Sequence, residues 1–422
     1  MASSTIAMII IVATIILFAT ELVPLPVTAI SACLAMGIFN VIPLSSVFSG
    51  FGNDVVFLVA GAIVIGEALF ETGAAIGIGK RLVKLLGTNE KIFLMVCIAF
   101  TGALSAFLSN TATVAMMMPI IASAAMNSKG KITKKNTYMA VGFASVAGGA
   151  CTLVGSTPQL IAQGVLLAAG LEGMKFFDLA YSGIPKLLLM MLYYYTIGYA
   201  LQKRVFDFDD VPDKVCENGN DNSAQSPVKM WISVAILFGC VVGFVSQIWT
   251  VGIVAMVGAV LCVVTKCISI KQVFARMDWT TVVVLGGALG FASGVEKSGA
   301  GEIIAHTVIG WLGEDVSTWV LLSAIALIAC VMGNLMSHTA TAAILAPICL
   351  IMARNLAIEP LTMMIVIVMS VNMTYITPIS TPPNTMTLIG GYRFMDYVRV
   401  GTPLNILMYF LNIMLIPILF DI

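Results

Sequence analysis

Charge is scarce in this chain. Only 10% of its 422 residues are Asp, Glu, Lys or Arg, against about a quarter in an average soluble protein, and that excludes a water-soluble globule. Histidine is scarcer still, with two residues, which excludes a His-rich metal centre. No paired-carboxylate site or nucleophile-base pair is readable either, so an enzyme is disfavoured. The nine cysteines show neither the spacing of a disulfide framework nor that of a metal site. Cys33, Cys97, Cys151, Cys240, Cys262, Cys330 and Cys349 sit inside apolar runs and read as small packing residues. Met1–Thr5 carries no positive stretch and no small-residue cleavage site, so the first apolar run is expected to stay as a helix. What the chain does have is apolar: 59% of it is hydrophobic. Runs such as Ile6–Ala19, Val55–Phe70, Met230–Val245 and Leu404–Leu419 approach the roughly 17–25 residues that cross a bilayer as a helix. The formal net charge of zero says nothing about partners, because in a membrane protein the location of charge matters more than its sum.

The chain is written twice. Ser109-Asn110-Thr111-Ala112-Thr113 returns as Ser337-His338-Thr339-Ala340-Thr341, each followed by a proline, Pro119 and Pro347. Gly155-Ser156-Thr157-Pro158-Gln159 corresponds to Ser380-Thr381-Pro382-Pro383-Asn384, and Glu71-Thr72-Gly73-Ala74 to Lys297-Ser298-Gly299-Ala300. The offsets are 228, 225 and 226 residues, so the halves 1–202 and 230–422 keep the same order of elements. Between them, 203–229 is polar, with Asp207, Asp209, Asp210, Asp213, Glu217 and Asn218-Gly219-Asn220-Asp221-Asn222, and reads as an aqueous, cytoplasmic linker.

Each half holds six apolar units. The fourth, near 91–126 and again at 318–357, is too long for one crossing and polar in its middle, so it is expected to be a re-entrant hairpin. The fifth, 138–168 and 362–390, is expected to be a broken helix. Five crossings per half is an odd number, which inverts the second repeat relative to the first. The predicted fold is an all-α polytopic membrane protein of two inverted repeats. Alternating sides through this topology puts 17 of the 21 basic residues on one face. Only Lys175, Lys186, Lys297 and Arg354 fall on the other, so the first face is cytoplasmic and both termini lie outside. The compact chain and short loops suggest a bacterial inner membrane.

Four segments bring polar residues and helix breakers deep into the membrane: 105–113, 155–159, 333–341 and 377–385. Gly155, Pro158, Pro378, Pro382 and Pro383 are where the backbone opens, and Ser156, Thr157 and Thr381 add hydroxyls. Broken helices at the midplane offer amides to anions and carbonyls to cations. An isolated Ser or Thr in a membrane helix commonly bonds its own backbone or a neighbouring helix; the recurrence of these at equivalent places in both halves favours a site instead. His338 lies at a predicted hairpin tip and is a candidate on that ground, although a neutral histidine satisfied by its neighbours is the plain alternative. His306 reads as an inert surface residue. Glu21 reads as a boundary residue, and Glu67 as embedded. Gly77-Ile78-Gly79-Lys80 lacks the spacing of a phosphate loop.

The paired Ser-Asn-Thr-type motifs, the stretch Thr381-Pro382-Pro383-Asn384 and Thr20-Glu21-Leu22-Val23-Pro24-Leu25-Pro26-Val27-Thr28 resemble the divalent anion:sodium symporter family, over essentially the whole chain. That resemblance implies transport of di- or tricarboxylates, or of sulfate in some branches, without a cofactor other than sodium as coupling ion. It also implies a homodimer in which a scaffold domain holds still while a transport domain moves as an elevator. Ser109, Asn110 and Thr111 would contact one carboxylate; Ser337, Thr339, Thr381 and Pro382 would surround the other. A first sodium site would use Ser105, Asn110 and Gly155, and a second Gly333, Met336, Ser380 and the Asn of the second motif. Here that Asn is His338, which has no carbonyl oxygen for a hard cation. A protonated His338 would supply sodium's charge and favour proton coupling or exchange of one dicarboxylate for another. An anion channel suits two occluding hairpins less well than a carrier does. A cation/proton antiporter would want acidic residues at the helix breaks, and none is there.

Overall fold

The computed structural model describes residues 3–74, 89–128, 130–210, 226–304, 307 and 317–420. The Gly77–Lys80 stretch, His306 and the middle of the linker lie outside them. The described elements are helices α1 Ser3–Thr20, α2 Leu25–Ile38, α3 Asp54–Glu71, α4 Glu90–Ser105, α5 Asn110–Asn127, α6 Tyr138–Gly149, α7 Thr157–Ala168 and α8 Ala180–Tyr193. A π-turn joins α8 to α9 Tyr199–Val205. In the second half follow α10 Pro227–Ser246, α11 Val251–Val264, α12 Ile270–Arg276, α13 Trp279–Lys297, α14 Thr318–Leu335, α15 His338–Asn355, α16 Pro360–Val371, α17 Pro382–Thr387 and α18 Phe394–Phe420. Seven helical stretches among the described residues are long and apolar enough to cross a membrane. Large apolar side chains such as Trp231, Phe238 and Ile418 face outward, as a lipid-facing surface requires.

Matched positions of the two halves share local geometry. Gly73 and Gly299 follow α3 and α13 with φ of 73° and 72°, a conformation that glycine adopts without a Cβ penalty and that ends a helix. Asn53 caps α3 and Asp278 caps α13; Asn89 caps α4 and Ser317 caps α14. Packing is reciprocal as well. Helix α3 of the first half lies against α11 of the second, and α13 of the second half against α2 of the first.

Two sequence expectations move. The segment 203–229 begins and ends in helix rather than in linker, since α9 continues to Val205 and Pro227 opens α10. Pro at a first helical position loses no intrahelical bond, and Lys203 and Arg204 suit a helix C-terminus. Lys186, assigned by charge counting to the outer surface, is buried within α8.

Candidate functional site

Helices α4 and α5 form one tight hairpin, and α14 and α15 another. At each tip a serine caps the second limb: Ser109 Oγ accepts from the Ala112 amide and Ser337 Oγ from the Ala340 amide, both at 3.2 Å. Four residues on, Thr113 Oγ1 donates to the Ser109 carbonyl at 3.0 Å and Thr341 Oγ1 to the Ser337 carbonyl at 3.1 Å. Each tip is thus a rigid helix N-terminus, whose free amides and dipole favour an anion.

Two helices are broken opposite these tips. Residues 150–156 separate α6 from α7, and 372–381 separate α16 from α17. Pro158 opens α7 and Pro382 with Pro383 opens α17, where a missing N–H does no harm. An amide side chain spans each break: Gln159 Nε2 donates to the Gly149 carbonyl at 2.9 Å, and Asn384 Nδ2 to the Thr374 carbonyl at 2.7 Å. The breaks are also tied to each other, because Ser156 Oγ donates to Asn372 Oδ1 at 2.9 Å and Asn372 Nδ2 to Gln159 Oε1 at 3.3 Å. The second limb of each hairpin packs on the half-helix of the other repeat, α5 on α17 and α15 on α7.

Each tip reaches its own break through one residue. One terminal atom of the Asn110 amide lies 2.6 Å from Ser105 Oγ, 2.9 Å from the Ser145 carbonyl oxygen and 3.0 Å from the Gly155 carbonyl oxygen. With the nitrogen turned there, the amide donates to these groups. With the oxygen turned there, the amide, one hydroxyl and two carbonyls form an oxygen set that a hard cation accepts. The chain comes this close because Gly149 faces Gly155: a Cβ on Gly149 would stand 2.1 Å from the Asn110 amide, and one on Gly155 2.3 Å from the Gly149 carbonyl oxygen.

In the second half His338 takes the place of Asn110. Its backbone N–H and its Nδ1 both lie 3.3 Å from the Ser380 carbonyl oxygen. Gly333 stands where the first half has Ser105, so a hydroxyl is missing too. Asn334 fills the gap differently: its Oδ1 accepts from the Ile376 amide at 2.9 Å and its Nδ2 donates to the Met373 carbonyl at 2.6 Å. Met336 is extended at the tip, with φ −128° and ψ 178°.

Exposure sorts the residues into two layers. Ser109, Thr111 and Pro382 are exposed, and Thr157, Ser337 and Thr339 are half-buried. Beneath them Ser105, Asn110, Gly155, Ser156, Gly333, Met336, His338, Ser380 and Thr381 are buried. The Ser156 hydroxyl is engaged with Asn372, while Thr381 Oγ1, Thr374 Oγ1 and Asn384 Oδ1 are buried without a protein partner. Glu21 is exposed between α1 and α2. Arg276 pairs with Glu67 at 3.4 Å and with Glu71 at 2.8 Å. No cluster of three His, Cys, Asp or Glu able to hold a metal occurs among the described residues.

A family model described as citrate transporter, CitMHS, matches residues 15–363. The chain belongs to the CitMHS citrate transporter family. It is therefore a multi-pass membrane transporter rather than an enzyme, and the resemblance to the divalent anion:sodium symporters is borne out. The sodium-dependent dicarboxylate transporter SdcS of Staphylococcus saprophyticus is 27% identical over 92% of this chain and 80% of its own. SdcS of Staphylococcus aureus is 24% identical over 88% and 77%, and the uncharacterized transporter YfbS of Escherichia coli 21% identical over 96% and 97%. Among solved structures the fold is similar to Neisseria gonorrhoeae MtrF, with TM-score 0.62, 14% identity and coverage of 99% and 95%. It is also similar to the Alcanivorax borkumensis YdaH transporter, with TM-score 0.58, 16% identity and coverage of 88% and 86%.

Several residues at these tips and breaks carry no distinctive signal in sequence. Gln159 and Asn384 stand inside the matched repeat stretches, and the recurrence of an amide at both places is a usable clue. Asn334 and Asn372 are lone amides in apolar runs, and Gly149 is one glycine among many; only the fold brings them to the breaks.

Proposed function

We propose that this protein is a secondary active carrier of di- and tricarboxylates in a bacterial inner membrane, working by alternating access of an elevator type. The observation that carries this reading is the paired arrangement of tip and break, Asn110 against Gly155 and His338 against Ser380. Two capped helix N-termini face two opened backbones, which suits an anion with a charge at each end. The family description names citrate, and SdcS is named for sodium and dicarboxylates.

In this reading the halves 1–202 and 230–422 are inverted repeats joined by a cytoplasmic linker within 203–229, and both termini lie outside. The hairpins 91–126 and 318–357 are re-entrant. Together with the broken helices 138–168 and 362–390 they form a transport domain that moves against a scaffold, in a homodimer. Ser109, Asn110, Thr111 and Thr157 receive one carboxylate; Ser337, Thr339, Thr381 and Pro382 receive the other, with Ser156 tying the two breaks. Ser105, Asn110, Ser145 and Gly155 hold one sodium ion. The place of the second sodium, around Gly333, Met336 and Ser380, has His338 in place of an oxygen ligand, so it does not hold sodium. The missing charge is met by a proton or by exchange of one anion for another.

Uptake of labelled succinate and citrate into proteoliposomes, empty or preloaded, with sodium or choline outside, tests the proposal. Saturable uptake that depends on sodium or on internal anion supports it. Uptake of sulfate alone would keep the carrier and change its substrate, and uptake of none of the three would overturn the reading.

A further inference from the structure

Lys186 sits inside α8 and is 3% exposed. Its Nζ donates to Asn412 Oδ1 of α18 at 2.7 Å and to the Met369 carbonyl, in the last turn of α16, at 3.1 Å. Asn412 Nδ2 in turn donates to Ser370 Oγ at 3.0 Å, and Ser370 Oγ to the Val366 carbonyl at 2.6 Å. This chain of donors fixes the Asn412 oxygen toward the amine. No carboxylate among the described residues pairs with Lys186.

The position is tied to both breaks. The Met369 carbonyl is free for the lysine because the Met373 amide turns to the Ser370 carbonyl as α16 ends. Three residues beyond Met369 is Asn372, the residue that links the two breaks. One turn earlier on α8, Gly183 lies on the first break, where a Cβ would stand 2.7 Å from Cys151 Cα. A small cleft lined by Ser182, Ile365, Met369, Asn412, Leu415 and Phe420 lies beside the amine's partners, and Ser182 Oγ has no partner.

Capping a carbonyl does not need a charge, and the chain supplies its own control. Asn412 stands 226 residues after Lys186, the offset that relates Gly73 to Gly299, so the second repeat has a neutral amide where the first has an amine. An ionisable group inside a membrane protein without an opposite charge is a functional group by default. His338 is accounted for without a charge, since an imidazole with its proton on Nδ1 satisfies the Ser380 carbonyl.

We propose that Lys186 is the proton-coupling group of the carrier. Its amine takes a proton from water as the dianion binds and returns it when the site empties, so a tethered positive charge near the breaks stands in for a second sodium. This rests on the carboxylate-carrier reading above. The ionisable groups facing Lys186 are the thiols of Cys151 and Cys330, with the Tyr375 phenol beside both. The described parts of α4, α6, α16 and α18 bring no carboxylate to it.

The test is calorimetric titration of the purified full-length protein with succinate and with citrate, near neutral pH, in two buffers of different ionisation enthalpy. The difference in heat counts protons taken up with the anion. Unaltered protein is expected to take up a proton on binding. Lys186→Gln is expected to bind more weakly with no proton uptake, and Lys186→Arg to bind with no proton uptake and no dependence on pH. Proton uptake that persists in Lys186→Gln, or that persists in Lys186→Arg if the Gln variant does not fold, overturns the proposal. So does normal anion binding without proton uptake in the unaltered protein, which leaves the carrier reading standing. Binding of neither anion removes the carboxylate reading and the role of Lys186 with it.

Discussion

Asn110 and His338 occupy the same place in the two halves, 228 residues apart, and each faces a backbone carbonyl of the break in its own repeat, Gly155 at 3.0 Å and Ser380 at 3.3 Å. The geometry is shared and the chemistry is not. A side-chain amide can turn an oxygen toward a cation, whereas an imidazole offers one nitrogen acceptor or a proton.

His338→Asn restores the missing amide oxygen. The expected outcome is a steeper dependence of succinate uptake on sodium, read as a higher Hill coefficient in proteoliposomes. An unchanged sodium dependence would mean that the histidine is a tolerated variation.

Gly149→Ala places a methyl group 2.1 Å from the Asn110 amide and 2.8 Å from the Gly155 carbonyl oxygen. The two strands of backbone must part, and the oxygen set opens with them. Half-saturation by sodium is expected to rise by roughly tenfold or more, as for loss of about 1.4 kcal/mol of binding. Sodium titration of uptake checks it, with the same half-saturation as the contrary result.

Thr381 is 1% exposed and its hydroxyl has no protein partner. Replacing it by valine removes a group that is already unsatisfied, so Thr381→Val is expected to leave the melting temperature unchanged or raise it. The same change is expected to raise the half-saturation for the anion, because a hydrogen bond to a charged group contributes about 1.5–3 kcal/mol. A drop in melting temperature with unchanged half-saturation would make the residue structural only.

Glu90 opens α4 at the end of the hairpin away from the tip and is 9% exposed. It accepts from the Thr133 amide at 2.9 Å, Thr133 Oγ1 at 2.6 Å, Asn136 Nδ2 at 3.1 Å and the Tyr199 hydroxyl at 2.6 Å, and pairs with Lys203 at 3.5 Å. Glu90→Ala leaves those donors without their partner, at a cost of about 1–3 kcal/mol. A lower melting temperature in detergent with retained anion binding is expected; an unchanged melt would contradict the role.

Much of the scaffold around the site was legible beforehand for a physical reason. Helix breakers and hydroxyls inside apolar runs cannot be left facing lipid, and Ser109 and Ser337 announce helix starts wherever they stand before such a run. Repetition then doubled a weak signal: Gly73 alone is an ordinary glycine, while Gly73 with Gly299 at nearly the same φ marks one element written twice. Lys186 was not legible. Counting charges places every lysine at a surface, and only the approach of α16 and α18 to α8 shows that this one is enclosed. Arg276, more than two hundred residues from Glu67 in the chain, pairs with it at 3.4 Å, a contact that the apolar run around Glu67 does not announce. Asn334 acts through the Met373 carbonyl of the second break and Asn372 through Ser156 and Gln159 of the first, partners that nothing in the sequence announces.

The most direct measurement is counterflow. Proteoliposomes loaded with unlabelled succinate are diluted into labelled succinate, and unaltered protein is compared with the Thr111→Val/Thr339→Val double variant, which removes one accessible hydroxyl from each hairpin tip. A carrier whose anion sits between the two tips gives a transient overshoot of label inside, with a half-saturation raised in the double variant. Label that enters without overshoot and without saturation, or a half-saturation the same in both proteins, contradicts a carboxylate site at the hairpin tips.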